Sequence, residues 1–202
     1  MSRNRDYTTQ TVCVVGLGYI GLPTAALLAN RGSRIYGVDV NRDAVDTIND
    51  GKIHIVEPDL DTFVRAAVES GNLTAHLQPR PADVFVIAVP TPFRDDHQPD
   101  LSYVDAATSA IAPHVRAGNI VILESTSPVG TTERVAQTLE QAGVDTGAFS
   151  IAHCPERVLP GRVMIELTEN DRIVGGLTPE ATKRVADFYR QFVTGEVLET
   201  TA

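Results

Sequence analysis

An apolar run, Val12-Cys13-Val14-Val15, leads directly into three glycines, Gly16, Gly18 and Gly21, spaced G-x-G-x-x-G, and then into LPTAALLAN, a string of good helix formers that stops at Gly32. No other feature constrains the fold as tightly. The run is short and β-branched enough for a strand buried on both faces, and Gly32 suits the position just past a helix end. A second strand over 34–38 ends in Asp39, 18 residues beyond Gly21. Strand, turn, helix and strand therefore stand in the order of a dinucleotide-binding βαβ unit.

Each part has a physical task in such a unit. Gly16 permits the sharp turn, Gly18 lacks the Cβ that would hold a pyrophosphate away from backbone N–H groups, and Gly21 lets the helix pack close to the strand. The helix N-terminus adds free N–H donors and the positive end of its dipole. An acid at the end of the second strand accepts hydrogen bonds from both adenosine ribose hydroxyls, each worth about 1.5–3 kcal/mol, and repels a 2′-phosphate. Asp39 thus predicts NAD rather than NADP, with Gly16, Gly18, Tyr19, Ile20 and Gly21 expected to form the cofactor turn. The same frame also suits another adenosine ligand such as S-adenosylmethionine.

The 202 residues, 43% hydrophobic, suit a single α/β domain over residues 1–202. A formal net charge of −9 argues against nucleic-acid or anionic-membrane partners, which need clustered Lys and Arg. Ten polar residues precede the first strand and no apolar run reaches membrane-spanning length, so a cytoplasmic protein is expected. Of the two cysteines, Cys13 reads as core packing, and neither Cys13 nor Cys154 shows metal or disulfide spacing.

Helices and strands alternate through the rest of the chain. Asn41 caps a helix carrying Ala44, Val45 and Ile48. Asp59 caps another, in which Leu60, Phe63, Val64, Ala67 and Val68 form one stripe. An edge strand near 73–77 and a central strand over 84–89 follow, then a helix from about Ser102 with Ser102 and Asp105 as an S-x-x-D capping box. Further strands are expected over 120–123, 149–152, 172–174 and 196–200, with a last helix opened by Thr178 and Pro179 that buries Val185, Phe188 and Phe192. The alternation implies a doubly wound parallel sheet, a Rossmann architecture.

Ligands of such sheets lie beyond the carboxyl ends of the strands. Three loops there carry concentrated polar chemistry: VPTPF at 89–93, ESTSPVGTTE at 124–133 and HCPERVLPG at 153–161. Each alone reads equally well as turn chemistry; together they favour a site.

GLGYIGLPTA, GKIHIVEPDL, IAVPTPF, ILESTSPVG, CPERVLPG and NDRIVGG closely resemble the amino-terminal part of the UDP-glucose/GDP-mannose dehydrogenase family, over essentially the whole chain. IHIVEPDL and CPERVLPG are most similar to members that oxidise UDP-N-acetyl-D-mannosamine. The resemblance implies oxidation of a UDP-sugar C6 alcohol to a carboxylate with two NAD+, for cell-surface polysaccharide precursors, by a homo-oligomeric enzyme. It implies that Val89, Pro90, Thr91, Ser125 and Thr126 line the cofactor cleft, with Thr126 also placing a water or substrate oxygen near the nicotinamide. Glu156 would position or activate water for hydrolysis of a thioester intermediate, and Arg157, Val158, Leu159, Pro160 and Gly161 would lie along the sugar.

Plainer roles stand beside these. Thr126 could cap the following helix, and Glu156 could be a solvated loop carboxylate or a partner of Arg157. His153 reads as structural, and Cys154 precedes the P-E motif rather than occupying the family's distant nucleophile motif. UDP-glucose dehydrogenases carry a second acid four residues after the P-E glutamate, where this chain has Pro160. The Gly-rich motif with the catalytic cysteine and the K-L-x-E-N-type helix are absent, so the isolated chain is expected to bind NAD without turning substrate over. A second reading is a non-catalytic NAD-binding module or a subunit completed by a partner. A β-hydroxyacid-type dehydrogenase would share the fold but needs a catalytic lysine just past the sheet, and none is evident.

Overall fold

Val12 to Val15 are all buried, as their unbroken apolar run demands, and the sheet is assembled around them. The computed structural model describes residues 10–94 and 98–202. Residues 1–9 and 95–97 lie outside the described residues. Among those described, one sheet holds β1 (Thr11–Val15), β2 (Arg34–Val38), β3 (Leu73–His76), β4 (Val84–Ile87), β5 (Ile120–Leu123), β6 (Ser150–His153), β7 (Arg172–Gly176) and β8 (Val197–Thr201). Their spatial order is β3-β2-β1-β4-β5-β6-β7-β8.

The helices are α1 (Gly21–Asn30), α2 (Arg42–Asn49), α3 (Leu60–Glu69), α4 (Ser102–Ile111), α5 (Thr131–Gln141), α6 (Val163–Glu169) and α7 (Pro179–Tyr189). Successive strand residues point to opposite faces, and the core divides accordingly. Val12, Val14, Val84, Val86, Ile120 and Ile122 pack with α1, α2, α3, α6 and α7. Cys13, Phe85, Ile87, Val121 and Leu123 pack with α4 and α5 on the other face. Both faces are thus covered, which is why the strands carry no polar alternation.

Of four capping expectations, two hold and two do not. Asn41 accepts from the N–H groups of Asp43 and Ala44, and Thr178 from Ala181, as their positions imply. Asp59 does occupy the N-cap of α3, but with φ 64° its side chain makes no cap hydrogen bond. The Ser102/Asp105 capping box does not form. Leu101 is the N-cap, the Ser102 N–H donates to Asp100 Oδ1 at 2.9 Å, and the Asp105 carboxylate instead accepts from Arg134 Nε at 2.7 Å. A charged guanidinium outcompetes a neutral backbone amide for the carboxylate.

The sheet is α/β and doubly wound as expected, but mixed. β1 to β6 run parallel, and β7 pairs antiparallel with β6 while β8 runs parallel to β7. A parallel return needs a crossover helix long enough to carry the chain back along the strand. The β6–β7 connection contains only the seven-residue α6. β7 therefore starts from the carboxyl end of the sheet, and its register pairs Ala152 with Gly176 and His153 with Gly175. Continued outward, that register sets Arg172 opposite Glu156. No helix among the described residues is long and apolar enough to cross a membrane.

Helix α7 anchors this returning edge. Phe188, Tyr189 and Phe192 are buried, with ring centroids 5.5 Å apart for each pair, a spacing suited to edge and tilted contacts. Phe188→Ala is expected to lower stability by about 3–5 kcal/mol, read as a lowered urea midpoint.

Candidate functional site

β1 and β4 are sheet neighbours, so the chain leaves them in opposite directions and opens a crevice at their carboxyl ends. The glycine turn fills that switch point. Gly16 has φ 93°, and a Cβ on it would stand 2.6 Å from the Ala88 carbonyl oxygen. A Cβ on Gly21 would stand 1.7 Å from the carbonyl oxygen of Gly16, so α1 seats on β1 only with glycine there. At Gly18 an added Cβ would meet nothing within 4 Å. The outer face of the turn is open where a diphosphate must approach, and the first turn of α1 carries no acidic side chain to repel it. Tyr19 is exposed and Ile20, the N-cap, half-buried at the same rim.

Asp39 turns toward this glycine segment. Its Oδ2 accepts from the Leu17 N–H at 2.9 Å and its Oδ1 from the Asn41 N–H at 2.9 Å. An ionised carboxylate offers about four lone-pair sites; one on each oxygen stays available, a match for two vicinal ribose hydroxyls. These residues fit an unphosphorylated adenosine ribose and its diphosphate.

The loops after β4 and β5 are tied together by polar contacts. The Ser125 hydroxyl donates to the Val89 carbonyl at 2.8 Å, and the Thr91 hydroxyl to the Thr126 carbonyl at 2.6 Å. Val89, Pro90, Thr91, Ser125 and Thr126 are thus brought to one rim, but the Ser125 and Thr91 hydroxyls are engaged with backbone. Thr126 is exposed and does not cap α5, whose N-cap is Gly130 in a left-handed conformation. His153 lies beneath the rim, its Nε2 3.2 Å from the Ser125 carbonyl oxygen, and burial lowers its pKa below the ordinary imidazole value. A structural reading suits it.

After β6 the chain divides into a buried and an exposed part. Arg157, Leu159, Pro160 and Gly161 are exposed, while Val158 packs against the core. Glu156 is buried, and its partner is Arg172 rather than the Arg157 guanidinium; both side chains of that ion pair are 2% exposed. Arg157 contributes only its backbone N–H, 2.8 Å from Glu156 Oε1, and its guanidinium reaches the Asp171 carbonyl at 2.8 Å. Burial pushes the Glu156 carboxyl upward, and the Arg172 charge pulls against it.

Four further residues join these loops to the core. Glu57, in the GKIHIVEPDL segment, is buried and accepts from the N–H groups of Gly161 at 2.9 Å and Val163 at 2.8 Å, clamping the 157–161 loop onto the start of α6. Arg172 answers Glu156, and Glu124 and Tyr189 lie beside that pair, joined by a 3.0 Å hydrogen bond from the Tyr189 hydroxyl to Glu124 Oε1. Strand parity could have found Glu124, since it continues the Ile120 and Ile122 face. Arg172 depended on the strand direction. Both cysteines are fully buried, and that burial pushes the thiols of Cys13 and Cys154 up to about 11 and about 12, which disfavours the thiolate a nucleophile needs.

Arg172→Ala would leave Glu156 buried without its counter-charge, and a loss of about 3–5 kcal/mol is expected in urea unfolding. Glu57→Ala leaves the buried Val163 N–H without its acceptor, at about 1–3 kcal/mol, and hands the exposed Gly161 N–H to water. It is expected to speed hydrogen exchange at the Gly161 and Val163 amides while leaving the Leu17 amide, at the other end of the site, unchanged.

Residues 10–193 match the UDP-glucose/GDP-mannose dehydrogenase family, NAD binding domain. The chain is 54% identical, over its full length, to an NDP-N-acetyl-D-galactosaminuronic acid dehydrogenase of Ralstonia nicotianae, of which it covers 50%. Over 95% of its length it is 54% identical to a UDP-N-acetyl-D-mannosamine dehydrogenase of Yersinia pestis, covering 48% of that protein. The solved UDP-N-acetyl-mannosamine dehydrogenase of Staphylococcus aureus superposes with a TM-score of 0.90 at 42% identity, over 95% of this chain and 48% of that one. The chain spans about half the length of the relatives it matches. The open glycine turn and the placement of Asp39 agree with these similarities, and the chain belongs to the UDP-glucose/GDP-mannose dehydrogenase family, of which it forms the NAD-binding domain.

Proposed function

We propose that residues 1–202 act as one NAD-binding unit of a UDP-sugar 6-dehydrogenase that oxidises UDP-N-acetyl-D-mannosamine to its uronate. The observation that carries this reading is the Asp39 carboxylate held against the open glycine turn by the Leu17 N–H. Bound there, NAD supplies the hydride acceptor. The chain's own residues orient and prepare: the turn receives the diphosphate, Asp39 selects the ribose, and the Val89–Thr91 and Ser125–Thr126 rim borders the nicotinamide end. Thr126, exposed on that rim, offers a hydroxyl to a water or a substrate oxygen. Glu156 positions water near the reacting carbon, its basicity favoured by burial and restrained by Arg172. Arg157 to Gly161, exposed and clamped by Glu57, run along the sugar.

Both cysteines are buried and protonated, so covalent capture of an aldehyde falls to a cysteine outside these residues. This supports a division of labour in which the present residues hold NAD and part of the sugar site. The family resemblance adds a cytoplasmic setting and a homo-oligomeric complete enzyme. A second sugar has equal support from similarity, because a relative named for N-acetyl-D-galactosaminuronic acid is as similar as one named for N-acetyl-D-mannosamine.

Isothermal titration tests the cofactor part. NAD+ is expected to bind in preference to NADP+, and Asp39→Ala to weaken NAD+ by at least the about 1.5–3 kcal/mol of one such hydrogen bond, roughly tenfold to a hundredfold or more, while narrowing the preference. Equal or tighter NADP+ binding by the unaltered chain would refute the reading. Turnover assays with UDP-N-acetyl-D-mannosamine and UDP-N-acetyl-D-galactosamine test the rest. The chain alone is expected to give no uronate, and uronate formation by it would contradict the proposed division of labour.

A further inference from the structure

Glu124 is a buried acid that the cofactor and sugar readings leave without a task. It follows β5 on the face shared with α1 and α7, beside Glu156, and the Glu156 N–H is 3.3 Å from its carbonyl oxygen. The Thr24 hydroxyl of α1 donates to its Oε2 at 3.4 Å and the Tyr189 hydroxyl of α7 to its Oε1 at 3.0 Å. The remaining titratable groups facing it are Cys154, Glu156 and Arg172. Arg172 spends its Nη1 on Glu156 and its Nη2 on the Leu167 carbonyl at 2.8 Å, its guanidinium carbon lies 5.2 Å from the Tyr189 ring centroid, and its Nε has no partner. None of its hydrogen bonds reaches Glu124.

One cation therefore faces two carboxylates in a place where Glu124, Glu156 and Arg172 are 2%, 8% and 2% exposed. A second bare charge there would be uncompensated, and a buried group in that position neutralises instead. We propose that Glu124 is a positioning residue that takes up a proton as pH falls through neutrality: its carbonyl oxygen receives the Glu156 N–H, and its carboxyl ties that segment, through Thr24, to the helix that receives the cofactor. The proposal rests on the reading that gives Glu156 a place in the reaction site.

Electrostatics agree with this assignment of the proton. Burial first, and then the charge of Glu156, push the Glu124 carboxyl up to about 7, against the opposing pull of Arg172, Tyr189 and Thr24. Burial holds the Cys154 thiol at about 12 and the Tyr189 phenol well above its ordinary value. Neither changes charge near neutrality. Glu156 is also pushed up by burial, but the Arg172 contact and the Arg157 N–H favour its ionised form.

Infrared spectroscopy of the chain, without cofactor or sugar, reads the proton directly. A carboxylic-acid carbonyl band is expected to persist above the pH at which ordinary carboxyls have ionised, about 4, and to fade through neutrality; in that range it is absent in Glu124→Gln and fades at lower pH in Glu156→Gln, where Arg172 faces a single carboxylate. No such band in the unaltered chain, or a band that survives Glu124→Gln, would overturn the proposal. Should Glu156→Gln fail to fold, urea unfolding of the other two proteins decides. A folded pKa raised from 4.5 to about 7 means a stability contribution complete below 4.5 and lost as pH climbs through about 7. The unaltered chain should decline relative to Glu124→Gln across that window, and a pH-independent difference would contradict the assignment. Thr24→Val should move the fading of the band to higher pH, because it removes a donor to the ionised form; an unmoved midpoint would refute the link to α1. Failure of NAD+ to bind in a separate titration speaks against the proposed function alone, and a missing band against this inference alone.

Discussion

The whole site hangs on the contact between Gly21 and the carbonyl oxygen of Gly16, so close that a single methyl group would stand 1.7 Å from that oxygen. This approach seats α1 against β1, turns the Gly16–Ile20 backbone outward at the sheet's switch point and brings the Leu17 N–H to the Asp39 carboxylate. Leu17 is fixed from the inside too: its side chain is fully buried, and its methyl carbons are 3.0 Å from where a Gly37 Cβ would stand. Close packing of this kind transmits position with little slack. The glycine turn and the Asp39 carboxylate are therefore set by the same contacts that build the core.

A second constraint governs the segment that follows β6. Because α6 is too short to return the chain, β7 runs opposite to β6 and delivers Arg172 to Glu156. Buried ion pairs are weak sources of stability but are costly to break, so the pair fixes geometry more than it adds free energy. Glu57 completes the arrangement from the far side, holding the loop that follows Glu156 by two backbone amides. The two carboxylates act on opposite ends of the same segment, one at its buried root and one at its exposed tip.

The first βα unit was legible in the sequence because every one of its requirements is local. Glycine spacing, the apolar run and the distance to Asp39 can be read along the chain, and Asn41 and Thr178 cap where their side chains dictate. The Ser102/Asp105 box failed because a distant residue, Arg134, competed for the acid. Arg172, Glu124 and Tyr189 escaped notice for the same reason: their roles arise from strand direction and from contacts between segments far apart in sequence. Strand parity did hold the signal for Glu124 and Cys154, whose neighbours Ile122 and Ala152 belong to the same core face, but it gains meaning only once that face is seen to lie under a site. The 163–169 helix was hidden by its brevity.

Amide chemical shifts recorded as NAD+ is added test the central claim most directly, because they report on the backbone itself. The largest changes are expected at Leu17, Gly18, Tyr19 and Ile20, with a further change at Asn41 as the Asp39 carboxylate takes up the ribose. Unmoved amides from Gly16 to Gly21, with the response concentrated at another edge of the sheet, would contradict the account.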